Sequence, residues 1–218
     1  MRISVFGLGY VGCVSAACLT QRGHQVLGLD INPQKVEIIK AGRAPVIEPD
    51  LDRLIKDSIE KDRFRVSLES RGALHKSDVS LICVGTPSQK NGNLDLKNVE
   101  SVCRAIGMEL SQQQNYHVVV VRSTVLPGST EKRLIPLLEK HSGRQAGWDF
   151  GVCFNPEFLR EGSAVSDFYD PGQIIIGEFD ERSGEIVETL YQGIPASIVH
   201  TTIPTAEIVK YANNAFHA

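Results

Sequence analysis

The chain has 218 residues, of which 42% are hydrophobic and 22% are charged, and its formal net charge is −3. This length and composition predict a folded protein of one domain or slightly more and exclude wholesale disorder. The nearly balanced charge argues against a nucleic-acid partner, and the sequence lacks the run of about 18 apolar residues that a membrane span needs.

Short apolar runs rich in Val and Ile alternate with helical patterns along the chain. The predicted strands occupy residues 3–6, 26–29, 79–84, 118–121, 150–153 and 174–176. The predicted helices occupy residues 11–22, 33–41, 49–61, 95–112, 129–141, 181–192 and 205 onward. Near-continuous apolarity is typical of strands buried on both faces. The alternation therefore predicts an α/β fold with a doubly wound, mostly parallel sheet and helices on both of its faces.

A glycine pattern after the first predicted strand indicates a dinucleotide site. Gly7, Gly9 and Gly12 follow the strand and open the next helix. In this pattern the three glycines permit a tight turn, close approach of a pyrophosphate and close packing of helix on strand. Free N–H groups at the helix N-terminus would bind the phosphates. The context predicts a Rossmann-type nucleotide-binding domain, with a glycine-rich packing turn as the alternative.

Asp30 ends the second predicted strand, 18 residues after Gly12. A carboxylate there accepts hydrogen bonds from the adenosine ribose and repels a 2′-phosphate, which favours NAD over NADP. Lys35 would contact the same ribose, or it is a solvent-facing lysine. Thr86 and Thr124 follow two further strands, at the sheet edge where ligands bind, although each threonine could instead cap a turn or a helix.

Two polar groups later in the chain are candidates for substrate chemistry. Glu157 and Glu161 are four residues apart and would share a face if their segment were helical, either as paired carboxylates for acid–base work or as a solvated face. Lys210, Asn214 and His217 form one stripe on the last predicted helix. That stripe would hold an oxyanion or a sugar hydroxyl, or it is an exposed polar surface.

Pro204 marks a predicted boundary between two structural units. Thr205 is predicted to cap the helix that follows, and Glu207 in its first turn would suit the positive end of the helix dipole. The helix reaches the end of the chain without a glycine cap or a polar tail. We therefore expect residues 1–203 to form one domain and residues 204–218 to begin a long connecting helix of a longer protein.

The cysteine pattern indicates the redox state of the compartment in which the protein resides. The five cysteines are Cys13, Cys18, Cys83, Cys103 and Cys153. Their odd number, their mostly apolar surroundings and the lack of a Cys-x-x-Cys pair are typical of reduced, buried thiols in a cytoplasmic protein. Neither a metal site nor a disulfide framework is expected. A signal peptide at the N-terminus is disfavoured because the glycines interrupt the apolar stretch.

Five segments together resemble the UDP-glucose/GDP-mannose dehydrogenase family of nucleotide-sugar dehydrogenases. They are residues 7–12, 84–87, 123–128, 155–161 and 210–214, in family order and over nearly the whole chain. The resemblance implies an enzyme that oxidises the C6 alcohol of a sugar nucleotide to a carboxylate with two NAD. In such enzymes a cysteine traps the aldehyde as a thiohemiacetal, the second hydride transfer leaves a thioester, and water hydrolyses it.

The resemblance also implies roles for individual residues. Thr124 and Glu157 would order or activate the hydrolytic water, and Glu161 would share this role or contact the substrate. The residues that would line NAD are Gly7, Gly9, Tyr10, Val11, Gly12, Asp30, Lys35, Thr86 and Thr124.

At the far end of the chain, the resemblance implies that Lys210 and Asn214 stabilise the oxyanion and that His217 lies against the substrate. The family's nucleophilic cysteine belongs to a Gly-Gly-Ser-Cys-type segment, and none of the five cysteines here has that context. The chain is therefore expected to be the NAD-binding half of a dehydrogenase, inactive by itself, whose full-length form is a homo-oligomer.

Residues 87–92, 148–152 and 216–218 resemble the branch of the family that oxidises GDP-mannose to GDP-mannuronate. Oxidation of UDP-glucose is an alternative, because most base and sugar contacts would come from outside this chain. An alternative from another class is a stand-alone NAD-binding module without catalysis. A Gly-rich cysteine motif in the coding sequence beyond residue 218 would favour the enzyme.

Overall fold

The computed structural model describes residues 1–90 and 92–217, the last of these through its backbone alone. The strands are Arg2–Phe6 (β1), Gln25–Leu29 (β2), Phe64–Ser67 (β3), Val79–Ile82 (β4), Val118–Val121 (β5), Gly151–Phe154 (β6), Gln173–Glu178 (β7) and Ser197–Thr202 (β8). The α-helices are Tyr10–Gln21 (α1), Pro33–Lys40 (α2), Leu51–Glu60 (α3), Lys97–Leu110 (α4), Ile135–Ser142 (α5), Ala164–Tyr169 (α6), Glu181–Glu188 (α7) and Ile203–His217 (α8). Asn91 and Ala218, which belong to two of the segments quoted above, lie outside the described residues.

The eight described strands form one sheet in the order β3-β2-β1-β4-β5-β6-β7-β8. All neighbours from β3 to β6 are parallel. β7 then runs antiparallel to β6, with Gly177 opposite Phe154, and β8 is parallel to β7. The order of the first six strands is that of a Rossmann fold. The predicted doubly wound, mostly parallel α/β sheet is confirmed.

Helices cover both faces of the sheet, and each face has its own core. Ile3 and Val5 of β1 pack in one core with Val14 of α1. Phe6 belongs to the other core, together with Cys103 of α4. Because alternate side chains of a strand point to opposite faces, a strand covered on both sides needs a continuous apolar run.

None of the helices in the described residues is long and apolar enough to cross a membrane.

The predictions omit three elements: β3, β8 and α6. β3 and β8 are the two edge strands, and they carry polar residues such as Arg65 and His200. A search for continuous apolar runs detects strands buried on both faces, so it misses edge strands. α6 has only six residues, too few for a periodic pattern. The third predicted strand ends early, at Ile82, and the strand predicted at 150–153 lies one residue later.

The last helix begins at Ile203, two residues before its predicted start. The Thr202 hydroxyl oxygen lies 3.4 Å from the Thr205 nitrogen, so Thr202 rather than Thr205 caps the helix. Glu207 does not serve the dipole of its own helix as predicted. It is fully buried, and its carboxylate accepts two backbone N–H groups from the segment that follows β5. The helix predicted at 129–141 starts with a π-helical turn over Thr130–Leu134.

Candidate functional site

The glycine run forms a tight turn between β1 and α1. Gly7 has a φ of 95°, a left-handed conformation that residues with side chains rarely adopt. A Cβ atom on Gly12 would lie 1.8 Å from the Gly7 carbonyl oxygen, so α1 fits against the turn only because residue 12 has no side chain. A Cβ atom on Gly9 would meet nothing within 4 Å, which leaves that side of the turn open to a ligand.

The N-terminus of α1 presents main-chain donors at this turn. Gly9 is the N-cap residue, and no side chain caps the helix there. The first bond of the helix runs from the Cys13 N–H to the Gly9 carbonyl, at 2.9 Å. The N–H groups of Tyr10, Val11 and Gly12 precede that bond and so have no partner within the helix. Such a set of donors, at the positive end of the helix dipole, suits a phosphate.

A cleft of about 490 Å³ opens beside the turn, at the carboxyl ends of β1, β2 and β4. Its volume lies in the range of small-molecule sites, roughly 300–1,000 Å³. Four of the predicted cofactor residues line it, namely Gly7, Gly9, Asp30 and Lys35. The lining also includes Asn98, Ser101 and Ala105 of α4, which the predictions above omit. Their spacing of three and four residues places them on one helix face and is the signal that could have identified them.

Asp30 stands in the cleft and also supports the glycine turn. Its Oδ2 accepts the Leu8 N–H at 2.7 Å, and its Oδ1 accepts the Asn32 N–H at 2.9 Å. Lys35 Nζ lies 3.5 Å from Asp30 Oδ2, and the two side chains are 34% and 9% exposed. The carboxylate is therefore held in one orientation, with the lysine beside it offsetting part of its charge.

The other predicted cofactor residues lie around the cleft rather than in its lining. The Thr86 hydroxyl donates to the Thr124 carbonyl oxygen at 2.7 Å, which joins the two predicted loops. The Tyr10 side chain turns away from the cleft and donates its hydroxyl to Glu48. Partial burial and this hydrogen bond raise the pKa of Tyr10 to about 12, so its hydroxyl stays protonated.

The second candidate group contains a buried ion pair. Lys210 Nζ lies 2.9 Å from Glu157 Oε1 and 2.6 Å from the Glu157 carbonyl oxygen. The two side chains are only 7% and 10% exposed, so Lys210 is not part of an exposed polar stripe. Residues 155–163 are not helical, and hence Glu157 and Glu161 do not share a helix face. Glu157 points to Lys210, whereas Glu161 is exposed.

A cavity of about 250 Å³ lies behind the Glu157 loop and is lined in part by Arg122, Asn155, Tyr191 and Asn213. Arg122 is 5% exposed and donates to the Tyr191 hydroxyl at 2.5 Å and to the Asn155 amide oxygen. Sequence reasoning missed this cluster. The available signal was that Arg122 and Asn155 are the polar residues directly after β5 and β6.

The structure does not place the Asn214 side chain against this cluster. Asn214 is exposed on α8, and its neighbour Asn213 lines the cavity instead. The side chain of His217 lies outside the described residues. The predicted grouping of Lys210 with Asn214 and His217 therefore stays a prediction, apart from the observed contact between Lys210 and Glu157.

All five cysteines are buried, as their apolar context predicts. Burial raises the pKa of each thiol to about 12. Because the thiolate is the reactive form of cysteine, these residues are unsuited to act as nucleophiles. In the part of the chain that the structure describes, no three His, Cys, Asp or Glu residues are grouped so that they could hold a metal ion.

Residues 1–195 match the NAD binding domain of the UDP-glucose/GDP-mannose dehydrogenase family. The GDP-mannose 6-dehydrogenase of Pseudomonas putida is 50% identical over 218 residues, which are 100% of this chain and 50% of that protein. The UDP-glucose 6-dehydrogenase AglM of Haloferax volcanii is 36% identical over 224 residues, which cover 100% of this chain and 51% of that protein. The chain thus spans about half the length of the curated relatives it matches.

Two solved structures of dehydrogenases have the same fold over almost the whole of this chain. A ternary complex of GDP-mannose dehydrogenase from Pseudomonas aeruginosa superimposes with a TM-score of 0.98 at 47% identity, over 100% of this chain and 50% of the other. A UDP-glucose dehydrogenase from Pyrobaculum islandicum superimposes with a TM-score of 0.93 at 40% identity, over 99% of this chain and 49% of the other.

Proposed function

The chain belongs to the UDP-glucose/GDP-mannose dehydrogenase family, and from this we propose that it is the NAD-binding N-terminal part of an enzyme that oxidises GDP-mannose to GDP-mannuronate. The observation that carries the proposal is the cleft in which an open glycine turn, an uncapped α1 and the Asp30 carboxylate meet. The higher identity to GDP-mannose dehydrogenases than to UDP-glucose dehydrogenases favours GDP-mannose as the substrate.

The residues around the cleft fit a dinucleotide. The N–H groups of Tyr10, Val11 and Gly12 hold the pyrophosphate, and Gly9 leaves room for it. Asp30 accepts hydrogen bonds from the adenosine ribose, and Lys35 lies at the same ribose. When bound, NAD supplies the acceptor for the hydride that leaves the sugar. Thr86 and Thr124 border the nicotinamide half, at the ends of the next two strands.

The substrate side of the proposed site is built on the Lys210–Glu157 pair. Lys210 supplies a positive charge that suits an oxyanion, and the contact with Glu157 fixes its position. Thr124 and Glu157 order the hydrolytic water, and Glu161 shares that role or contacts the substrate. Asn214 and His217 complete the substrate contacts. The thiol that traps the aldehyde belongs to a segment other than residues 1–218.

The proposed organisation has a nucleotide-binding domain at residues 1–203 and the start of a central helical domain at 204–218. The full-length protein is a homo-oligomer that works in the cytoplasm on a nucleotide sugar, without nucleic acid. Two apolar side chains of α8, Ile208 and Phe216, are 53% and 92% exposed. Contact with a second copy of the protein would bury them, which supports the proposed oligomer. The five free, buried cysteines are typical of a protein in a reducing compartment, which supports the proposed location in the cytoplasm.

The full-length protein that carries this chain should convert GDP-mannose in preference to UDP-glucose. The test incubates it with equal amounts of both nucleotides and NAD, and identifies the sugar-nucleotide acids by mass spectrometry. GDP-mannuronate is the expected main product. UDP-glucuronate as the main product would reverse the assignment, and formation of neither acid would favour a stand-alone NAD-binding module.

The 218-residue chain should bind NAD more tightly than NADP. A 2′-phosphate would meet the Asp30 carboxylate and lose a charge-assisted hydrogen bond worth about 1.5–3 kcal/mol, which is roughly 10- to 150-fold in affinity. Calorimetric titration with each cofactor measures the difference. Asp30→Ala should reduce the difference in affinity between NAD and NADP. Asp30→Asn removes the charge but keeps an oxygen that can accept the Leu8 N–H, so it distinguishes the effect of the charge from the effect of the lost support. Equal or tighter binding of NADP to the unmodified chain would refute this preference.

The chain alone should bind NAD but oxidise nothing. Oxidation of an alcohol to an acid needs an aldehyde held between two hydride transfers, and a thiolate holds it by covalent trapping. Cys153 is nearest in sequence to Glu157, but it is fully buried and its thiol pKa is raised to about 12 by burial. The first hydride transfer needs no thiol, but the nucleotide half of the substrate would lack much of its pocket in this chain, and that remote binding energy orients the reacting carbon. Incubation with NAD and GDP-mannose should therefore give no sustained NADH formation above a blank. Sustained NADH formation that Cys153→Ser abolishes is the contrary outcome.

A further inference from the structure

Glu48 is a buried carboxylate to which the proposed reaction gives no role. It lies in the loop between α2 and α3 and is 7% exposed. Its Oε2 accepts the Tyr10 hydroxyl and the Gly162 N–H, the second at 2.8 Å. Its Oε1 accepts the Val165 N–H at 3.3 Å. A buried carboxylate is costly unless donors surround it, so these three contacts hold Glu48 in one position.

The donors around Glu48 come from both halves of the proposed site. Tyr10 is the first residue of α1 and directly follows Gly9 in the glycine turn. Gly162 directly follows Glu161 in the loop that also carries Glu157. The Gly162 nitrogen lies 3.0 Å from the Tyr10 hydroxyl oxygen as well, so Tyr10, Gly162 and Glu48 form a closed triangle of hydrogen bonds.

Two ion pairs join this loop to elements other than α1. Arg160 pairs with Asp167 of α6, and Glu157 pairs with Lys210 of α8. Neither pair involves α1. The hydrogen-bonded connection from the first turn of α1 to residues 157–163 therefore centres on the Tyr10 hydroxyl. This hydroxyl contacts the Gly162 nitrogen directly, lies 3.3 Å from the Arg160 carbonyl oxygen, and is held in place by the carboxylate of Glu48.

We propose that Glu48 is a positioning residue that couples occupation of the glycine turn to the conformation of the loop at 157–163. The proposal rests on the proposed function of NAD binding at α1. Phosphate oxygens bound to the first N–H groups of α1 restrain Tyr10, and the triangle transmits the restraint to Gly162. Because coupling between two sites is reciprocal, a sugar nucleotide that orders the loop tightens NAD binding by the same factor.

The test follows backbone amide exchange at Gly162 and Val165 in the 218-residue chain, with and without saturating NAD. In the unmodified chain, NAD should slow exchange at both amides by about fivefold or more, the lower end of typical coupling factors. Tyr10→Phe and Glu48→Gln should abolish this NAD-dependent slowing. A merely structural contact would instead speed exchange equally with and without NAD, and the ratio of the two rates would not change.

Tyr169→Phe is the matched control. The Tyr169 hydroxyl donates to the Cys18 carbonyl oxygen at 3.4 Å, so it also joins α6 to α1 but does not touch Glu48. This variant should keep the full NAD effect. Should Glu48→Gln fail to fold, Tyr10→Phe decides, because it removes only a hydroxyl group.

Two results overturn the coupling, and calorimetry distinguishes them. If NAD binds but leaves the two exchange rates unchanged, or slows them equally in Tyr10→Phe, then the coupling is wrong while NAD binding stands. If NAD does not bind to the unmodified chain, the proposed function fails and takes the coupling with it.

Discussion

Gly12→Ala should destabilise the chain by about 3 kcal/mol, at the upper end of the range for overpacked sites. The new methyl group would lie 1.8 Å from the Gly7 carbonyl oxygen, and a backbone atom cannot move aside as a flexible side chain can. For a chain of this size the loss corresponds to a fall in melting temperature of roughly 6–12 °C. Thermal unfolding followed by circular dichroism measures it.

Gly9→Ala is the matched control, because it places the same methyl group in the same turn, three residues before Gly12. That group meets nothing within 4 Å, and Gly9 has a φ of −78°, which alanine adopts freely. We expect stability to be nearly unchanged and NAD binding to weaken about tenfold, since the methyl group occupies the space needed by the pyrophosphate. Equal melting temperatures for the two variants would contradict the packing role assigned to Gly12.

Lys210→Met should lower the free energy of unfolding by about 3–5 kcal/mol. The substitution keeps most of the apolar stem but leaves the Glu157 carboxylate without its cation, in a place where it is only 10% exposed. Denaturant unfolding of the single variant and of Lys210→Met combined with Glu157→Gln provides the comparison. The double variant should recover much of the loss, because it no longer buries an unpaired charge.

Lys40→Met makes the same chemical change at a surface pair. Lys40 and Glu37 lie 2.9 Å apart, but their side chains are 53% and 71% exposed. Exposed ion pairs contribute about 0–1 kcal/mol, so this variant should unfold almost like the unmodified chain. A loss in Lys210→Met no larger than in Lys40→Met would show that the buried pair does not hold α8 to the Glu157 loop.

The cleft beside the glycine turn was partly predictable, because the four predicted residues that line it belong to one short stretch of sequence. Gly7, Gly12 and Asp30 follow the strand–turn–helix–strand order that defines the motif, and their spacing is visible in the sequence. The two edge strands were not predictable in the same way. Their polar residues face solvent, so β3 and β8 have no continuous apolar signal.

The second site depends on contacts that only folding creates. The hydrogen bond from Arg122 to Tyr191 joins residues 69 positions apart, and the bond from Tyr10 to Glu48 joins residues 38 positions apart. No local pattern links such residues. The burial of Lys210 was missed for a related reason, since the helix pattern gives the spacing of a stripe but not which neighbouring segment covers it.

The reversal of strand direction at β7 decides which part of a helix reaches the ligand edge of the sheet. α1 follows a strand of the parallel part, so it begins at the carboxyl edge and offers main-chain donors there. α8 follows a reversed strand. It starts beside Gly177, opposite Phe154, and meets Glu157 only about two turns later, at Lys210.

The carboxyl edge of the sheet thus has two parts that differ in how freely their sequences can change in evolution, namely the first turn of α1 and the contact between α8 and the Glu157 loop. Main-chain donors are the same whatever the side chains, so the part of the cleft formed by the first turn of α1 tolerates changes in sequence around its glycines better than Asp30 does. The other part depends on side chains such as Lys210 and Glu157, so a single substitution there changes its charge and shape. If the proposed function holds, substitutions in α8 and the Glu157 loop can change what this part of the site binds, while the main-chain donors of α1 stay the same.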